Sequence, residues 1–294
     1  MAKKCALVLL ACLLLFSACG AVQADEPVLS APPTIAPSET QITNRIVRIS
    51  VTQMLADSPM FRQICDLFES QTGYKTELSA NADSVAVSVA ETGQMDVLIA
   101  RDGTEASRFK TAGYSARSFA WVRDTLVLAG PSADPAAVSS ADTLTQAFVR
   151  IAKSGSPFVS CYDDSDLNRI ETQFWAQAGV TIGNGKSWYR TARRALPSAL
   201  QTADSQNAYI LSTLEAFLEA GDSLHLRNLL RDLNELHNTY LVMPVSSDAF
   251  PLVNRDGADA FCAFLQSEQA IEAVLSYGTD RYGSPIYEEI TISD

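Results

Sequence analysis

Residues 157–165 read PFVSCYDDS, an apolar run followed by hydroxyls, a thiol and two adjacent carboxylates. We predict that the apolar run is a buried strand and that the polar residues form the loop after it. Ser160, Tyr162 and Ser165 are its candidate ligand-binding residues. A helical pattern follows, and the first N–H groups of a helix lack backbone partners and carry partial positive charge. The chemistry predicted for this loop is binding of a small anion.

A second loop of this kind follows the first predicted strand. Residues 52–59 read TQMLADSP, in which Ser58 suits a helix N-cap and Pro59 the first helical position. Thr52 and Ser58 are therefore further candidate ligand-binding residues. Both loops are also compatible with ordinary helix caps, and from the pattern alone that interpretation is favoured.

Two adjacent arginines, Arg193 and Arg194, lie in the stretch KSWYRTARRALPSAL at 186–200. Guanidinium groups are planar and can donate two parallel hydrogen bonds to a carboxylate, phosphate or sulfonate, so both arginines are candidate ligand-binding residues. The alternative is that they form a solvated helix face together with Arg190.

Short apolar runs alternate with helical patterns along the chain and position these loops. The runs are IVRISV at 46–51, MDVLIA at 95–100, DTLVLAG at 124–130, PFVS at 157–160, NAYIL at 207–211 and TYLVMPV at 239–245. Alternation of this kind predicts an α/β fold with mainly parallel sheets flanked by helices. In such folds ligands bind beyond the carboxyl ends of the strands, where both loops are predicted to lie.

The chain begins MAKKCALVLLACLLLFSACG, with two lysines, an apolar run and small residues before Cys19. The run is too short to cross about 30 Å of hydrocarbon, so we predict a lipoprotein signal peptide over residues 1–18. Cys19 would carry the lipid and hold the protein on the extracellular face of the cell membrane. Residues 19–44 are rich in Pro, Ser and Thr and lack a period, which predicts a disordered tether.

From about Arg45 onward the chain resembles the tungstate-binding proteins of bacterial ABC importers, a branch of the two-lobed periplasmic-type solute-binding proteins. The resemblance runs through ADSPMFRQICDLFESQTGYK, QMDVLIAR, DTLVLAGPSADPA, KSGSPFVSCYDDSDLNRIETQFWAQAG and YGTDRYGSPIYEE in order. It implies a type II periplasmic-binding-protein fold whose two lobes are joined by two crossing strands. Lobe one would comprise residues 45–129 and 240–294, and lobe two residues 130–239. It also implies that a tungstate- or molybdate-like oxyanion binds between the lobes and that an ABC permease is the partner.

The ligand loops depart from the family patterns. Where the family has Thr-Thr-Ser-Thr-x-Asp-Ser-Gly, only Thr52, Asp57 and Ser58 match. Where it has Ser-Arg-Gly-Asp-Asp-Ser-Gly-Thr, Cys161 replaces the arginine and Leu167 the threonine. Charged hydrogen bonds are worth roughly 1.5–3 kcal/mol each, so we expect weakened tungstate binding and either an altered small anionic ligand or a lost specificity. A ligand-sensing or degenerate binding lipoprotein without a transport role is the alternative function.

Charge and composition limit the remaining functions. The formal charge is −12, so nucleic acid is not a predicted partner. We also expect a monomer. An enzyme is the weakest hypothesis, because His225 and His237 have no Cys or carboxylate at metal or triad spacing. No cofactor or metal is predicted. After Cys19 the cysteines are Cys65, Cys161 and Cys262, an odd number without CxxC spacing.

Overall fold

The structure is a computed structural model that describes residues 44–161, 165–183, 185–192, 195–230 and 233–290. The predicted signal peptide, Cys19 and nearly all of the predicted tether lie outside these residues, as do Tyr162, Arg193 and Arg194. None of the described helices is both long and apolar enough to cross a membrane.

Strands and helices alternate through the described residues, as predicted. The strands are β1 (Ile46–Thr52), β2 (Lys75–Asn81), β3 (Val97–Arg101), β4 (Phe119–Gly130), β5 (Phe158–Ser160), β6 (Tyr189–Thr191), β7 (Ile210–Thr213), β8 (Arg227–Asn228), β9 (His237–Pro244) and β10 (Glu288–Glu289). The helices are α1 (Gln53–Ala56), α2 (Pro59–Thr72), α3 (Asp83–Ala90), α4 (Thr104–Thr111), α5 (Leu144–Ser154), α6 (Asp166–Gln177), α7 (Leu196–Ser205), α8 (Leu214–Ala220), α9 (Arg255–Leu265), α10 (Glu268–Ser276) and α11 (Thr279–Tyr282).

The main sheet has the strand order β10-β4-β9-β3-β1-β2. Its parallel pairs are β1 with β2 and β1 with β3, whereas β9 runs antiparallel to β3 and β4 antiparallel to β9. Thr52 and Arg101, the last residues of β1 and β3, therefore lie at the same edge of the sheet. This edge is where a ligand is expected in a parallel α/β arrangement.

Strand β4 belongs to both halves of the described fold. Its residues from Phe119 to Thr125 pair with β9, and those from Leu126 to Ala129 pair with β7. β5 and β6 form a separate parallel pair, which contacts β7 through a bridge between Phe158 and Tyr209. A long strand that pairs with both β9 and β7 is consistent with the crossing-strand connection expected from the resemblance. The limits of the two lobes remain a prediction.

Helix α2 shows how local sequence sets an element beside the site. Ser58 caps its N-terminus by accepting a hydrogen bond from the N–H of Met60, and Pro59 occupies the first turn, where no N–H is needed. Gly73 ends the helix with φ 74°, a left-handed conformation that glycine adopts at little cost. The buried face of α2 places Phe68 5.0 Å from Phe261, centroid to centroid. Burying one phenylalanine stabilises the fold by about 1.5–3 kcal/mol.

A second hydrophobic core is centred on the fully buried Trp175 of α6. Its ring lies 4.4 Å from that of Phe148 and 5.0 Å from that of Phe158, centroid to centroid. Aromatic pairs of this kind add about 0.5–1.5 kcal/mol each beyond area burial. This packing fixes α6, and hence the position of its N-terminus, against the strand that precedes the polar loop.

Candidate functional site

A cavity of about 290 Å³ lies where the N-termini of α2, α6 and α8 approach one another. The N-cap residues of these helices, Ser58, Ser165 and Thr213, all line it. Each accepts a hydrogen bond from an N–H of its own helix, at 3.1 Å for Ser58 and 3.2 Å for the other two. Two of the helices, α2 and α6, are 14 and 12 residues long, so their dipoles direct partial positive charge at one space.

Ser58 and Ser165, which follow two different strands, thus line the same cavity. Thr52 is fully buried at the end of β1, and its Oγ1 has no hydrogen-bond partner among the described residues. Ser160 is also fully buried and accepts a hydrogen bond from Nδ2 of Asn168 at 3.1 Å. Ser160 and Thr52 therefore lie behind the residues that line the cavity rather than among them.

The remaining predicted ligand-binding residues, Tyr162, Arg193 and Arg194, lie outside the described residues. Their described neighbours Cys161 and Ala195 both line the cavity. The role of the two arginines and the tyrosine stays a prediction.

The sequence reading missed an acidic wall. Glu215 in the first turn of α8, Asp57 and Glu219 line the same cavity, and the described lining residues include no Lys, Arg or His. Glu215 lies in the first turn of α8, a position that is favourable for a carboxylate, and this is the local signal that could have identified it.

Glu215 is held by two tyrosines from the C-terminal part of the chain. Oε1 accepts a hydrogen bond from Tyr277 at 2.8 Å and Oε2 accepts one from Tyr287 at 3.0 Å. The Tyr287 hydroxyl also lies 2.8 Å from Oγ of Ser58. Because a phenol has one proton and a carboxylate is the stronger acceptor, the Ser58 hydroxyl donates to Tyr287, which donates to Glu215.

A smaller cavity of about 30 Å³ adjoins the main one and shares Met54, Thr213 and Glu215 with it. Asp124 of β4 also lines it and is only 6% exposed. Oδ2 of Asp124 accepts a hydrogen bond from Tyr240 at 2.9 Å, whereas Oδ1 has no partner among the described residues. Burial raises the pKa of Asp124 to about 6, against the lowering effect of Tyr240 and of the nearby Asn238 amide.

A second buried carboxylate, Glu171 of α6, lies behind the polar loop. It accepts hydrogen bonds from the Tyr189 hydroxyl at 2.8 Å and from Nε1 of Trp175 at 3.1 Å. Burial raises its pKa to about 7, although hydrogen bonds from Ser160, Tyr189, Trp175 and Asn168 oppose the rise. Glu171 ties α6 to β6 and positions the loop between them.

The two histidines do not border the main cavity. Nδ1 of the exposed His225 lies 3.1 Å from Oδ2 of Asp204, and Nδ1 of His237 lies 3.4 Å from Oγ1 of Thr125. The described residues contain no cluster of three or more His, Cys, Asp or Glu side chains that could hold a metal ion. Cys65, Cys161 and Cys262 are buried, and no disulfide joins any of them to another described residue.

Comparison with known proteins places this geometry in a family. The chain is 26% identical over 251 residues to the tungstate-binding protein TupA of Peptoclostridium acidaminophilum, covering 85% of this chain and 87% of TupA. It is 27% identical to a putative ABC transporter anion-binding protein of Haloferax volcanii, covering 84% of this chain and 72% of that protein.

Among solved structures, the tungstate-binding protein TupA of Desulfovibrio alaskensis G20 superposes with a TM-score of 0.73 at 21% identity, covering 84% of this chain and 99% of that one. This likeness confirms the predicted type II periplasmic-binding-protein fold. The family described as bacterial extracellular solute-binding protein matches residues 54–280. Because that match spans well over half of the sequence, the chain belongs to the bacterial extracellular solute-binding proteins.

Proposed function

We propose that this protein is an extracytoplasmic solute-binding lipoprotein of an ABC importer that binds a small anionic group in the cavity lined by Ser58 and Ser165. The observation that carries the proposal is the convergence of two long helix N-termini on one cavity. Unpaired N–H groups and helix dipoles attract an anion without a formally charged side chain. The named relatives, one tungstate-binding and one a putative anion-binding protein, support the same class of ligand.

In this proposal, Arg193 and Arg194 supply the positive charge that the described residues of the cavity wall lack. They directly precede Ala195, which lines the cavity together with Leu196 and Pro197. Their planar guanidinium groups favour a carboxylate or another planar anionic group over a compact tetrahedral metal oxide. An ABC permease is the proposed membrane partner, since importers of this kind receive their solute from the binding protein.

The lipid anchor is proposed from residues 1–20. Replacement Cys19→Ala removes the thiol that would be acylated. We expect the wild-type protein to remain with the membrane fraction and the Cys19→Ala protein to leave it. An equal membrane-bound fraction for both proteins would exclude the anchor.

The binding test is a thermal-shift screen of the full chain against tungstate, molybdate, sulfate, phosphate, small carboxylates and the amino acids, followed by titration calorimetry. Ser165→Asp is the decisive variant, because aspartate caps helices as well as serine but adds a negative charge at the cavity. A unit charge at about 5 Å and an effective dielectric constant of about 20 costs about 3 kcal/mol, so affinity should fall more than 100-fold.

Ser267→Asp is the matched control, because Ser267 caps α10 through the N–H of Ala270 and does not line the cavity. We expect this variant to keep wild-type affinity. Equal affinities of the Ser165→Asp variant and the wild-type protein would contradict the proposal. A screen in which no compound binds would contradict it as well.

A further inference from the structure

We propose that binding of an anion at Ser58 is coupled to uptake of one proton by Glu215, through a reversal of the hydrogen bonds that link Ser58, Tyr287 and Glu215. These three residues are called the relay below. The inference rests on the proposed function, which places an anionic group in the cavity lined by Ser58 and Ser165. It adds a dependence of anion affinity on pH and a role for Tyr287.

The relay leaves Ser58 without a proton for an anion while Glu215 is ionised. Oγ of Ser58 accepts a hydrogen bond from the N–H of Met60 at 3.1 Å and lies 2.8 Å from the Tyr287 hydroxyl. Tyr287 donates to Oε2 of Glu215 at 3.0 Å, because an ionised carboxylate can only accept. The single Ser58 proton is therefore directed at Tyr287, and an anion in the cavity would face the lone pairs of Oγ.

One added proton reverses the relay with every heavy atom in place. A protonated Glu215 donates from Oε2 to Tyr287, Tyr287 donates to Oγ of Ser58, and the Ser58 proton becomes available to the anion. Oε1 of Glu215 keeps its hydrogen bond from Tyr277 at 2.8 Å, and Ser58 keeps the one from Met60. Because a hydroxyl has one donor and two acceptor sites, all of these groups stay satisfied. The balance is one proton gained from solvent at Oε2 and none lost.

Tyr287 is suited to passing on the reversal without ionising. It is only 3% exposed, whereas Ser58 and Glu215 line the main cavity. Burial and the nearby carboxylates of Glu215 and Asp124 raise the pKa of Tyr287 well above its ordinary value. The phenol therefore keeps one proton throughout and changes only its direction. Glu215, at the cavity end of the relay, is where the solvent proton enters.

The charges near Glu215 favour proton uptake when an anion arrives. Among the described residues, the titratable and charged groups around it are the carboxyls of Asp57, Asp124 and Glu219, the phenols of Tyr240, Tyr277 and Tyr287, and the guanidinium groups of Arg101 and Arg281. Both cations already have partners, since Arg281 lies 3.8 Å from Glu219 and Arg101 lies 3.3 Å from Asp83. An anion adds to this negative charge, and a proton on Glu215 offsets it.

The test is titration calorimetry of the full-length protein with tungstate, molybdate, sulfate and acetate, which stay ionised between pH 6.5 and pH 8. Measurements in two buffers that differ in their enthalpy of ionisation count the protons taken up on binding. For each of these anions that binds, we expect uptake of about one proton and an affinity that rises about tenfold for each unit by which the pH is lowered.

Three variants assign this proton to the relay. Tyr287→Phe separates Ser58 from Glu215 and should remove the proton uptake while the protein still binds the anion. Glu215→Gln has an amide that can donate to Tyr287, which fixes the reversed arrangement. It should bind without proton uptake, and at pH 8 at least tenfold more tightly than wild type. Tyr277→Phe removes a hydroxyl from Glu215 without touching Ser58 and should keep the uptake.

The possible results separate this inference from the proposed function. If an anion binds without proton uptake and Ser165→Asp weakens it, the anion site stands and the relay is wrong. Proton uptake that persists in Tyr287→Phe would also overturn the inference. So would uptake that persists in Glu215→Gln but is lost in Asp124→Asn or Glu171→Gln, whose carboxyls have pKa values raised by burial to about 6 and about 7. If none of the four anions binds, the inference is wrong, and the wider screen decides the proposed function.

Discussion

Oδ1 of Asp166, the first residue of α6, accepts a hydrogen bond from the backbone N–H of Asp83, the first residue of α3, at 2.8 Å. The residues are 83 positions apart, and the bond joins α6 to a helix that packs on the main sheet. Asp83 is itself paired with Arg101 at the end of β3. Burial raises the pKa of both Asp83 and Asp166.

Replacement Asp166→Ala should therefore destabilise the protein. It leaves the buried N–H of Asp83 without its acceptor, which costs about 1–3 kcal/mol. Chemical denaturation measures the unfolding free energy of this variant. Asp280→Asn, an exposed substitution on α11, is the control. A change in unfolding free energy no larger than that of the control would show that this bond contributes nothing.

Glu171 should make stability depend on pH. Its carboxyl pKa rises from an ordinary 4.5 to about 7 because the group is buried, so the folded protein binds this proton more tightly than the unfolded chain does. The free energy of unfolding is therefore highest, as far as Glu171 is concerned, below about pH 4.5. It falls by about 3 kcal/mol in total as the pH rises from there through about 7.

The variant Glu171→Gln removes the charge and keeps an oxygen that can accept from Tyr189 and Trp175. We expect the unfolding free energy of the variant relative to wild type to be higher at pH 8 than at pH 5. Denaturant titrations of both proteins at both pH values measure this difference. The same difference at pH 5 and pH 8 would mean that Glu171 does not titrate in this range.

The variant Ser58→Ala should destabilise α2 and disturb the acidic wall together. It removes the N-cap that accepts from Met60 and the hydroxyl beside Tyr287, and a lost cap costs about 0.5–2 kcal/mol. Ser276→Ala at the exposed end of α10 is the control. Unfolding free energies that match between the two variants would indicate that the cap is unimportant.

Cys161 should report occupation of the cavity. Burial raises the pKa of Cys65 to about 12 and that of Cys262 to about 11, so neither should react with a small thiol reagent at pH 8 while the protein is folded. Cys161 lines the cavity and should react faster than both. Alkylation followed by peptide mass mapping separates the sites, and a bound ligand should slow the labelling of Cys161. Equal labelling of the three would place Cys161 away from the ligand.

The sequence predicted the elements that local pattern determines. Ser58 and Pro59 marked the start of α2, and the apolar run before Ser160 gave β5. The half-exposed strand β2, reading KTELSAN, was missed because its apolar residues are few. The antiparallel direction of β4 and β9 could not be read from their apolar runs, since strand direction depends on long-range pairing.

The same limit applies to the site. Ser58 and Ser165 were found because N-caps have a local signature. The link from Ser58 through Tyr287 to Glu215 joins residues up to 229 positions apart, and no local pattern predicts it. Asp124 lies inside an apolar strand, and its hydrogen bond from Tyr240, 116 positions away, becomes visible only once the surrounding elements are placed.

The most direct test of the central claim is a crystal structure of the full chain with the compound that most raises its melting temperature. We predict that the anionic group of this compound lies in the cavity lined by Ser58 and Ser165, within hydrogen-bond distance of N–H groups at the starts of α2 and α6. A compound bound elsewhere on the protein, with this cavity holding only water, would contradict the account.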